Sequence, residues 1–124
     1  MIRMDIRIKS TDYEMTPETS QYLDDKIAAI EKMMGDDAAV TRCEVEIGRD
    51  AGRPRHGANI YFAEFTIFYP GGSVRSTNRS ESVNGAIDDA REEVVRQLRR
   101  ERKLHVRMWR RSGAIAKRLL RSEQ

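Results

Sequence analysis

The stretch that decides the fold runs from residue 80 to residue 111 and reads SESVNGAIDDAREEVVRQLRRERKLHVRMWRR. It opens with Ser80-Glu81-Ser82, whose side-chain oxygens suit the free N–H groups at a helix start. Apolar residues then recur at steps of three or four, which trace one face of an α-helix. They are Val83, Ile87, Ala90, Val94 and Leu98. The spacing predicts a long amphipathic helix that packs against the rest of the chain.

Charge is ordered along this helix, with acids in the early turns and basic residues in the later ones. That order suits the helix dipole but exceeds what a dipole needs. Residues 96–124 hold 11 Lys and Arg against two acids, so this segment carries a formal charge of +9 while the whole chain carries +3. The asymmetry favours a polyanionic partner, with nucleic acid ahead of a membrane surface. The alternative is a basic segment that only solvates the protein or folds back on its acidic half.

Upstream, the sequence predicts one strand followed by one helix. Apolar and charged residues alternate at the start of the chain, which is the pattern of a half-buried strand over residues 4–8. Thr16-Pro17-Glu18 then combines a capping hydroxyl, a proline suited to the first helical position and an acid for the first turn. Gly35 suits a helix end with a left-handed backbone. The first helix is therefore predicted over residues 17–34.

Three more strands are predicted between residues 42 and 80. Apolar residues alternate over residues 42–47 and again over residues 61–69, with a loop rich in glycine and proline between them. Alternation leaves Phe62 and Phe68 on the solvent side of the later strand. Pro70-Gly71-Gly72 predicts a tight turn, so the last two strands should form an antiparallel hairpin. Val74 and Ser76 would point inward on the fourth strand.

The element order is thus β-α-β-β-β-α, which predicts an α+β two-layer sandwich with two helices packed on one face of a four-stranded sheet. The opposite face is expected to stay wet. Its predicted members are Arg7, Glu44, Glu46, Glu64 and Thr66. Ser112-Gly113 is expected to interrupt the long helix. We divide the chain into an α/β domain over residues 1–104 and a basic C-terminal helical extension or tail over residues 105–124.

Composition argues against several classes of protein. The sequence contains no apolar stretch of membrane-spanning length and no signal-peptide pattern, and Cys43 is its only cysteine. We therefore expect a cytoplasmic protein that does not bind membranes. His56 and His105 lack partners at metal-ligand spacing, and Cys43 falls among core residues rather than beside a catalytic base. We expect no enzyme activity, metal, cofactor or small-molecule substrate.

Several short segments occur in an order that carries a family resemblance. They are Met4-Asp5-Ile6-Arg7-Ile8, Tyr22-Leu23-Asp24-Asp25-Lys26-Ile27, Phe65-Thr66-Ile67 and Pro70-Gly71-Gly72. The most specific is Ser80-Glu81-Ser82-Val83-Asn84-Gly85-Ala86-Ile87-Asp88, followed by Arg96-Gln97-Leu98-Arg99-Arg100. Over residues 4–104 the chain resembles the short form of the bacterial ribosome hibernation-promoting factor family, also called ribosome-associated inhibitor proteins.

The resemblance implies the β-α-β-β-β-α fold and a function as a translation inhibitor. Members bind the small ribosomal subunit, in the channel that messenger RNA and transfer RNA would occupy, and silence idle ribosomes under stress. The implied partners are the small subunit and its ribosomal RNA. Long members add a C-terminal dimerising domain, for which 124 residues leave no room. A monomer is therefore expected when the protein is bound to the ribosome.

The chain also departs from the family pattern. Where the family usually has lysine in the long helix this chain has Glu93, and where it usually has tyrosine there is Asn84. In the first helix, Asp25 and Ala29 stand at positions that are often lysine, and Met33 replaces an aromatic residue. The resemblance therefore implies fewer phosphate contacts early in the long helix, with the missing charge moved to Arg96 and beyond.

Basic residues on the two helices are the predicted RNA-binding site. Residues three or four apart are neighbours on a helix, so the cations of the long helix form a stripe along one side. The predicted site comprises Lys26, Lys32, Arg91, Arg96, Arg99, Arg100, Arg102, Lys103, Arg107, Arg110 and Arg111. For Arg91, pairing with Asp88 is an equal alternative. Trp109 is left between stacking on a base and packing within the tail.

Two other function classes remain open from the sequence. A double-stranded-RNA-type binding protein packs two helices on a three-stranded sheet and would lack the opening strand over residues 4–8. A protein-interaction module would use the basic tail to bind an acidic protein or a second copy. The loop residues Arg49, Arg53, Arg55 and His56 form a smaller basic cluster, more typical of a solvated loop than of an RNA contact.

Overall fold

The computed structural model describes residues 3–50 and 60–122, with side chains of the last helix described as far as Leu104. Its elements are β1 (Asp5–Thr11), α1 (Pro17–Met34), a 3₁₀ turn (Gly35–Val40), β2 (Arg42–Arg49), β3 (Tyr61–Tyr69), β4 (Gly72–Ser80) and α2 (Val83–Ser122). The predicted order is confirmed. The sequence pattern missed the 3₁₀ turn and the last three residues of β1. Arg53, Arg55 and His56 lie outside the described residues.

The four strands form one sheet in the order β1-β2-β3-β4. β1 runs parallel to β2, while β2, β3 and β4 are joined by antiparallel pairing. The parallel pair is possible because α1 carries the chain back between β1 and β2. Pro70 and Gly71 close the β3–β4 hairpin, and Gly71 has the positive φ of 101° that this turn needs.

Both helices pack on one face of the sheet, as predicted. Strand alternation puts one set of side chains of β2 and β3 under the helices, and all of them except Tyr61 at the start of β3 are buried. From α2, the residues Ala86, Ile87, Ala90, Val94 and Leu98 are fully buried. From α1, the buried apolar residues are Leu23, Ile27, Ile30 and Met34. Burying one such Val, Leu or Ile contributes about 1.5–3 kcal/mol, so this apolar layer dominates the stability of the domain.

The two helices run in the same direction. Tyr22, early in α1, contacts Asp88, early in α2, and Met33 near the end of α1 contacts Arg102 further along α2. Both N-termini therefore lie at one end of the domain and both helix C-termini at the other. This arrangement follows from the sheet. The strands that precede the two helices, β1 and β4, run in the same direction, and each helix then runs back in the opposite direction.

Helix boundaries follow the predicted caps. Thr16 Oγ1 accepts from the Thr19 N–H at 3.1 Å, and Pro17 stands in the first turn. Ser82 Oγ accepts from the Gly85 N–H at 3.0 Å at the start of α2. Gly35 ends α1 with φ +57° as predicted, although its ψ of −127° lies outside the left-handed helical region.

Two expectations about exposure are wrong. Alternation places Thr66 on the wet face, but Thr66 is buried, because the Arg75 side chain lies over it and Arg75 Nε donates to Thr66 Oγ1 at 3.2 Å. Ile6 and Ile8 were expected in a half-buried strand but are 41% and 43% exposed. Their register puts them beside Cys43 and Val45, yet β1 is the sheet edge and the helices do not cover it.

The predicted interruption at Ser112-Gly113 is also wrong, because α2 continues to Ser122. A glycine inside a helix costs only about 1 kcal/mol relative to alanine, which neighbouring helix formers can offset. Residues 105–122 therefore continue α2 without a break.

Phe62 and Phe68, which alternation leaves on the open face of the sheet, are only half-buried there. The Arg42 guanidinium lies 4.6 Å from the centre of the Phe68 ring, which shields it from water. Phe62 lies opposite Gly48 in the register, and its ring occupies the space where a side chain at Gly48 would stand.

We predict that Gly48→Ala destabilises the domain by about 1–3 kcal/mol. A Cβ there would lie 2.5 Å from the Thr11 carbonyl oxygen and 2.7 Å from the Phe62 ring, so β1 and Phe62 must both move. Urea unfolding measures the loss. Gly72→Ala is the comparison, and its loss should be smaller, because its nearest atom is the Tyr69 hydroxyl oxygen at 3.0 Å and no backbone atom lies as close as the Thr11 oxygen does at Gly48. Equal stability of the Gly48→Ala protein and the wild type would contradict the close packing.

We also predict a stability loss above pH 9 that depends on Cys43. Burial raises the pKa of this thiol from 9.0 to about 12, because the core disfavours the thiolate. The unfolded chain therefore loses the proton first, and stability falls as the pH rises from 9 to about 12, by up to roughly 4 kcal/mol. Urea unfolding of Cys43→Ala across this range should show a shallower fall. Parallel pH profiles for the two proteins would exclude this origin.

Candidate nucleic-acid interface

The side of α2 opposite the sheet carries a row of cations. Arg96, Arg99, Arg100 and Lys103 are all exposed, and helical spacing makes them neighbours; we call these four residues the basic stripe. Arg96 lies 3.4 Å from Glu92, but both side chains are at least two-thirds exposed, so this pair is weak. Among the described side chains, none pairs with Arg99, Arg100 or Lys103. The stripe therefore presents cations to solvent.

Lys26, another predicted RNA-binding residue, lies between the helices instead. Its Nζ is 3.3 Å from Asp88 Oδ1, and it stands 5.0 Å from the centre of the Tyr22 ring. Tyr22 donates its hydroxyl proton to the same carboxylate at 2.5 Å. That hydrogen bond raises the pKa of Tyr22, because it requires the protonated phenol. Asp88 thus joins the early turns of α1 and α2.

Arg102 is held in a similar way at the other end of α1. One guanidinium nitrogen lies 3.1 Å from Asp37 Oδ2 in the 3₁₀ turn, and the other donates to the Met33 carbonyl oxygen at 3.4 Å. Only about a third of the Arg102 side chain is exposed. Sequence spacing alone grouped Arg102 with the stripe, whereas the fold turns it toward α1.

The remaining predicted residues differ in position. Arg91 is half-buried, and its Nε has no hydrogen-bond partner among the described residues. Its predicted pairing with Asp88 is not observed, because Asp88 is occupied by α1. Lys32 is exposed in the last turn of α1. Arg107, Arg110 and Arg111 lie on α2, but their side chains, like that of Trp109, fall outside the described part of the chain.

Glu93, one of the departures from the family pattern, has a structural contact. Its Oε2 accepts from Asn78 Nδ2 at 2.7 Å, which ties α2 to the edge strand β4. Beside it, the Ser76 hydroxyl donates to the Ala90 carbonyl oxygen. The early half of α2 is therefore held by Asp88 on one flank and by Glu93 on the other. The sequence pattern shows both acids only as part of the charge order along the helix, and it does not reveal these contacts because neither partner is close in sequence.

Other kinds of site find no support in the described residues. Residues 3–50 and 60–104 contain no group of three His, Cys, Asp or Glu that could hold a metal ion. No helix in the described part of the chain is long and apolar enough to cross a membrane. Cys43 is fully buried among core residues, as predicted.

Residues 6–105 match the model of a protein family described as sigma 54 modulation protein / S30EA ribosomal protein. The chain belongs to this family. It is a family of ribosome-associated modulators rather than of enzymes, so both the recognised resemblance and the expectation of a non-enzymatic protein are confirmed. No curated protein matches the chain in sequence.

Solved structures show the same fold. The N-terminal domain of Protein Y from Thermus thermophilus is 22% identical with a TM-score of 0.63, and the match covers 78% of this chain and 98% of that one. A ribosomal subunit interface protein from Coxiella burnetii is 10% identical with a TM-score of 0.62, covering 81% and 99%. This S30EA-family chain therefore has the fold that those proteins have.

We predict that Asp88→Asn destabilises the domain by about 1 kcal/mol, since it weakens the contacts to both Tyr22 and Lys26. Asp89→Asn is the matched control, because Asp89 is exposed and has no contact among the described residues. Its effect should stay within about 0.5 kcal/mol. Thermal and urea unfolding of the two variants measure the difference, and equal stabilities would argue against Asp88 as an inter-helix contact.

Proposed function

We propose that this protein inhibits translation by binding the small ribosomal subunit through ribosomal RNA, in the channel used by messenger RNA and transfer RNA. It would act in the cytoplasm on idle ribosomes as a hibernation factor. The observation that carries the proposal is the basic stripe, an exposed row of cations on α2 of an S30EA-family domain. The relation in fold to a ribosomal subunit interface protein supports the choice of partner.

Phosphate chemistry explains why the stripe suits RNA. An arginine guanidinium can donate two parallel hydrogen bonds to one phosphate. Arg99 and Arg100 can do so, because neither pairs with another described side chain. Each phosphate that is neutralised releases counterions, so affinity should fall steeply with salt. Six more Lys and Arg lie between residues 107 and 121 and would supply further contacts along the same helix.

The alternatives have less support. A double-stranded-RNA-type binder packs its helices on three strands, whereas β1 (Asp5–Thr11) adds a fourth here. A protein-interaction module would use the same exposed cations to bind an acidic protein, but the family and the relation in fold to a ribosomal subunit interface protein favour the ribosome as partner. Preference for a bare RNA duplex over intact subunits would favour the double-stranded-RNA-type binder. Binding to a protein partner with which RNA does not compete would favour the interaction module.

Sedimentation with purified ribosomal subunits tests the proposal. The protein should co-sediment with the small subunit at low salt and be released as salt rises. Binding should compete with messenger RNA and inhibit translation in a purified system. No co-sedimentation with the small subunit at any salt concentration would reject the proposed function.

The triple variant Arg96→Gln, Arg99→Gln, Arg100→Gln tests the stripe itself. Each lost phosphate contact reduces the slope of log affinity against log salt by about 0.7–0.9. We therefore expect the loss of three contacts to make this slope shallower by about two. Folding should be unchanged, because these side chains are exposed. The control triple variant removes the same charge from the exposed residues Arg3, Arg7 and Arg49 and should keep the wild-type slope. Equal slopes for all three proteins would place the RNA contact elsewhere.

A further inference from the structure

Beyond Leu98, α2 no longer has a buried side chain among the residues described, yet the helix continues to Ser122. Two adjacent residues, Glu101 and Arg102, make its last described contacts with the rest of the domain. One contacts the end of the sheet and the other contacts the end of α1. Among the described residues, these two contacts are therefore the last that restrain the helix before its final part leaves the domain.

Glu101 contacts the end of β3. Its Oε2 accepts from the Tyr69 hydroxyl at 2.8 Å, and Tyr69 is only 8% exposed beside the hairpin turn. Burial, together with the Glu101 carboxylate, raises the pKa of Tyr69 to about 12. The phenol consequently stays protonated and can donate to Glu101 at all physiological pH values.

Arg102 contacts the region where α1 ends. Asp37 accepts its charged hydrogen bond at 3.1 Å, and the Met33 carbonyl oxygen adds a second at 3.4 Å. Carbonyl oxygens in the last turn of a helix lack partners within the helix, so a cation is well placed there. The interaction joins α2 to both the last turn of α1 and the 3₁₀ turn.

Successive residues point about 100° apart around an α-helix, so the two contacts restrain α2 in two different directions. From Arg102 to Ser122 the helix rises about 30 Å at 1.5 Å per residue. A tilt of roughly 10° would move the far end by about 5 Å over that length. A displacement of that size exceeds the few tenths of an ångström over which a hydrogen bond from the end of the helix to an RNA phosphate would keep its geometry.

We propose that Tyr69–Glu101 and Asp37–Arg102 together form a mount that aligns the C-terminal part of α2 on its RNA. All four are positioning residues, and Arg102 acts through Asp37 rather than by contacting phosphate. This inference rests on the proposed function, because it concerns how the same helix meets ribosomal RNA. It assigns an RNA-binding role to Asp37 and Tyr69, neither of which is a cation.

Asp37→Asn separates this role from simple electrostatics. Removing an acid near a polyanion should strengthen RNA binding if charge alone matters, whereas loss of the mount should weaken it. We expect affinity for the small subunit at fixed low salt to fall about three- to tenfold. Asp36→Asn is the matched control, since Asp36 is a neighbouring exposed acid with no contact among the described residues. It should leave affinity unchanged or slightly raised.

Two further variants complete the test. Tyr69→Phe removes the hydrogen bond to Glu101 without changing charge and should also weaken binding. Ile87→Val is a stability control, because it loosens the core far from the mount and should keep wild-type affinity. All measurements are made where each variant is folded by circular dichroism. Weaker binding by Ile87→Val to the same extent would attribute the effect to stability and overturn the proposal.

The double variant Asp37→Asn, Arg102→Gln tests whether Arg102 acts through Asp37. In a mount, the double variant should bind no more weakly than the single Arg102→Gln variant. A double variant that binds several-fold more weakly than Arg102→Gln would mean that Asp37 and Arg102 act independently, which would overturn the mount. If the wild type binds the small subunit and Asp37→Asn binds with the same affinity, the mount alone is rejected. If the wild type does not bind at all, the proposed function is rejected.

Discussion

Burial of one stripe of α2 against β3 and β4 is the constraint on which the rest of the structure depends. Ile87, Val94 and Leu98 are each fully buried, and each contributes about 1.5–3 kcal/mol. An exposed ion pair along the same helix contributes only about 0.3–0.5 kcal/mol. The apolar stripe therefore sets the rotation of α2 about its own axis. Once that rotation is set, helical geometry decides which charged residues face solvent and which face α1 or β4.

This rotation explains how far the sequence could predict the site. The steps from Val83 to Leu98 identified the buried face, and so the exposure of Arg99, Arg100 and Lys103 followed from spacing alone. Spacing could not locate α1, because the position of a neighbouring helix depends on the sheet and its crossover. Arg102 and Lys26 were therefore grouped with the exposed cations, although acids on another element hold both.

Features of the fold that depend on local interactions follow from the sequence, whereas those that depend on distant contacts do not. Caps, alternation and turn residues are local, and the boundaries of α1 and the β3–β4 hairpin were predicted from them. Exposure at a sheet edge is not local, so Ile6 and Ile8 were predicted to be more buried than they are. Thr66 is buried by a long arginine side chain from the next strand, which a binary pattern of polar and apolar residues does not represent.

The acids of α2 have a role that their sequence pattern conceals. Asp88, Glu93 and Glu101 each accept a hydrogen bond from a different element, namely α1, β4 and β3. A lysine at residue 93 would lose the bond from Asn78 and add a cation to the early half of the helix. Glutamate at residue 93 cannot contact a phosphate as lysine would, but it accepts the hydrogen bond that holds α2 to β4. The acids on the flanks of α2 thus hold the helix in place, and the cations on its opposite side stay exposed to solvent.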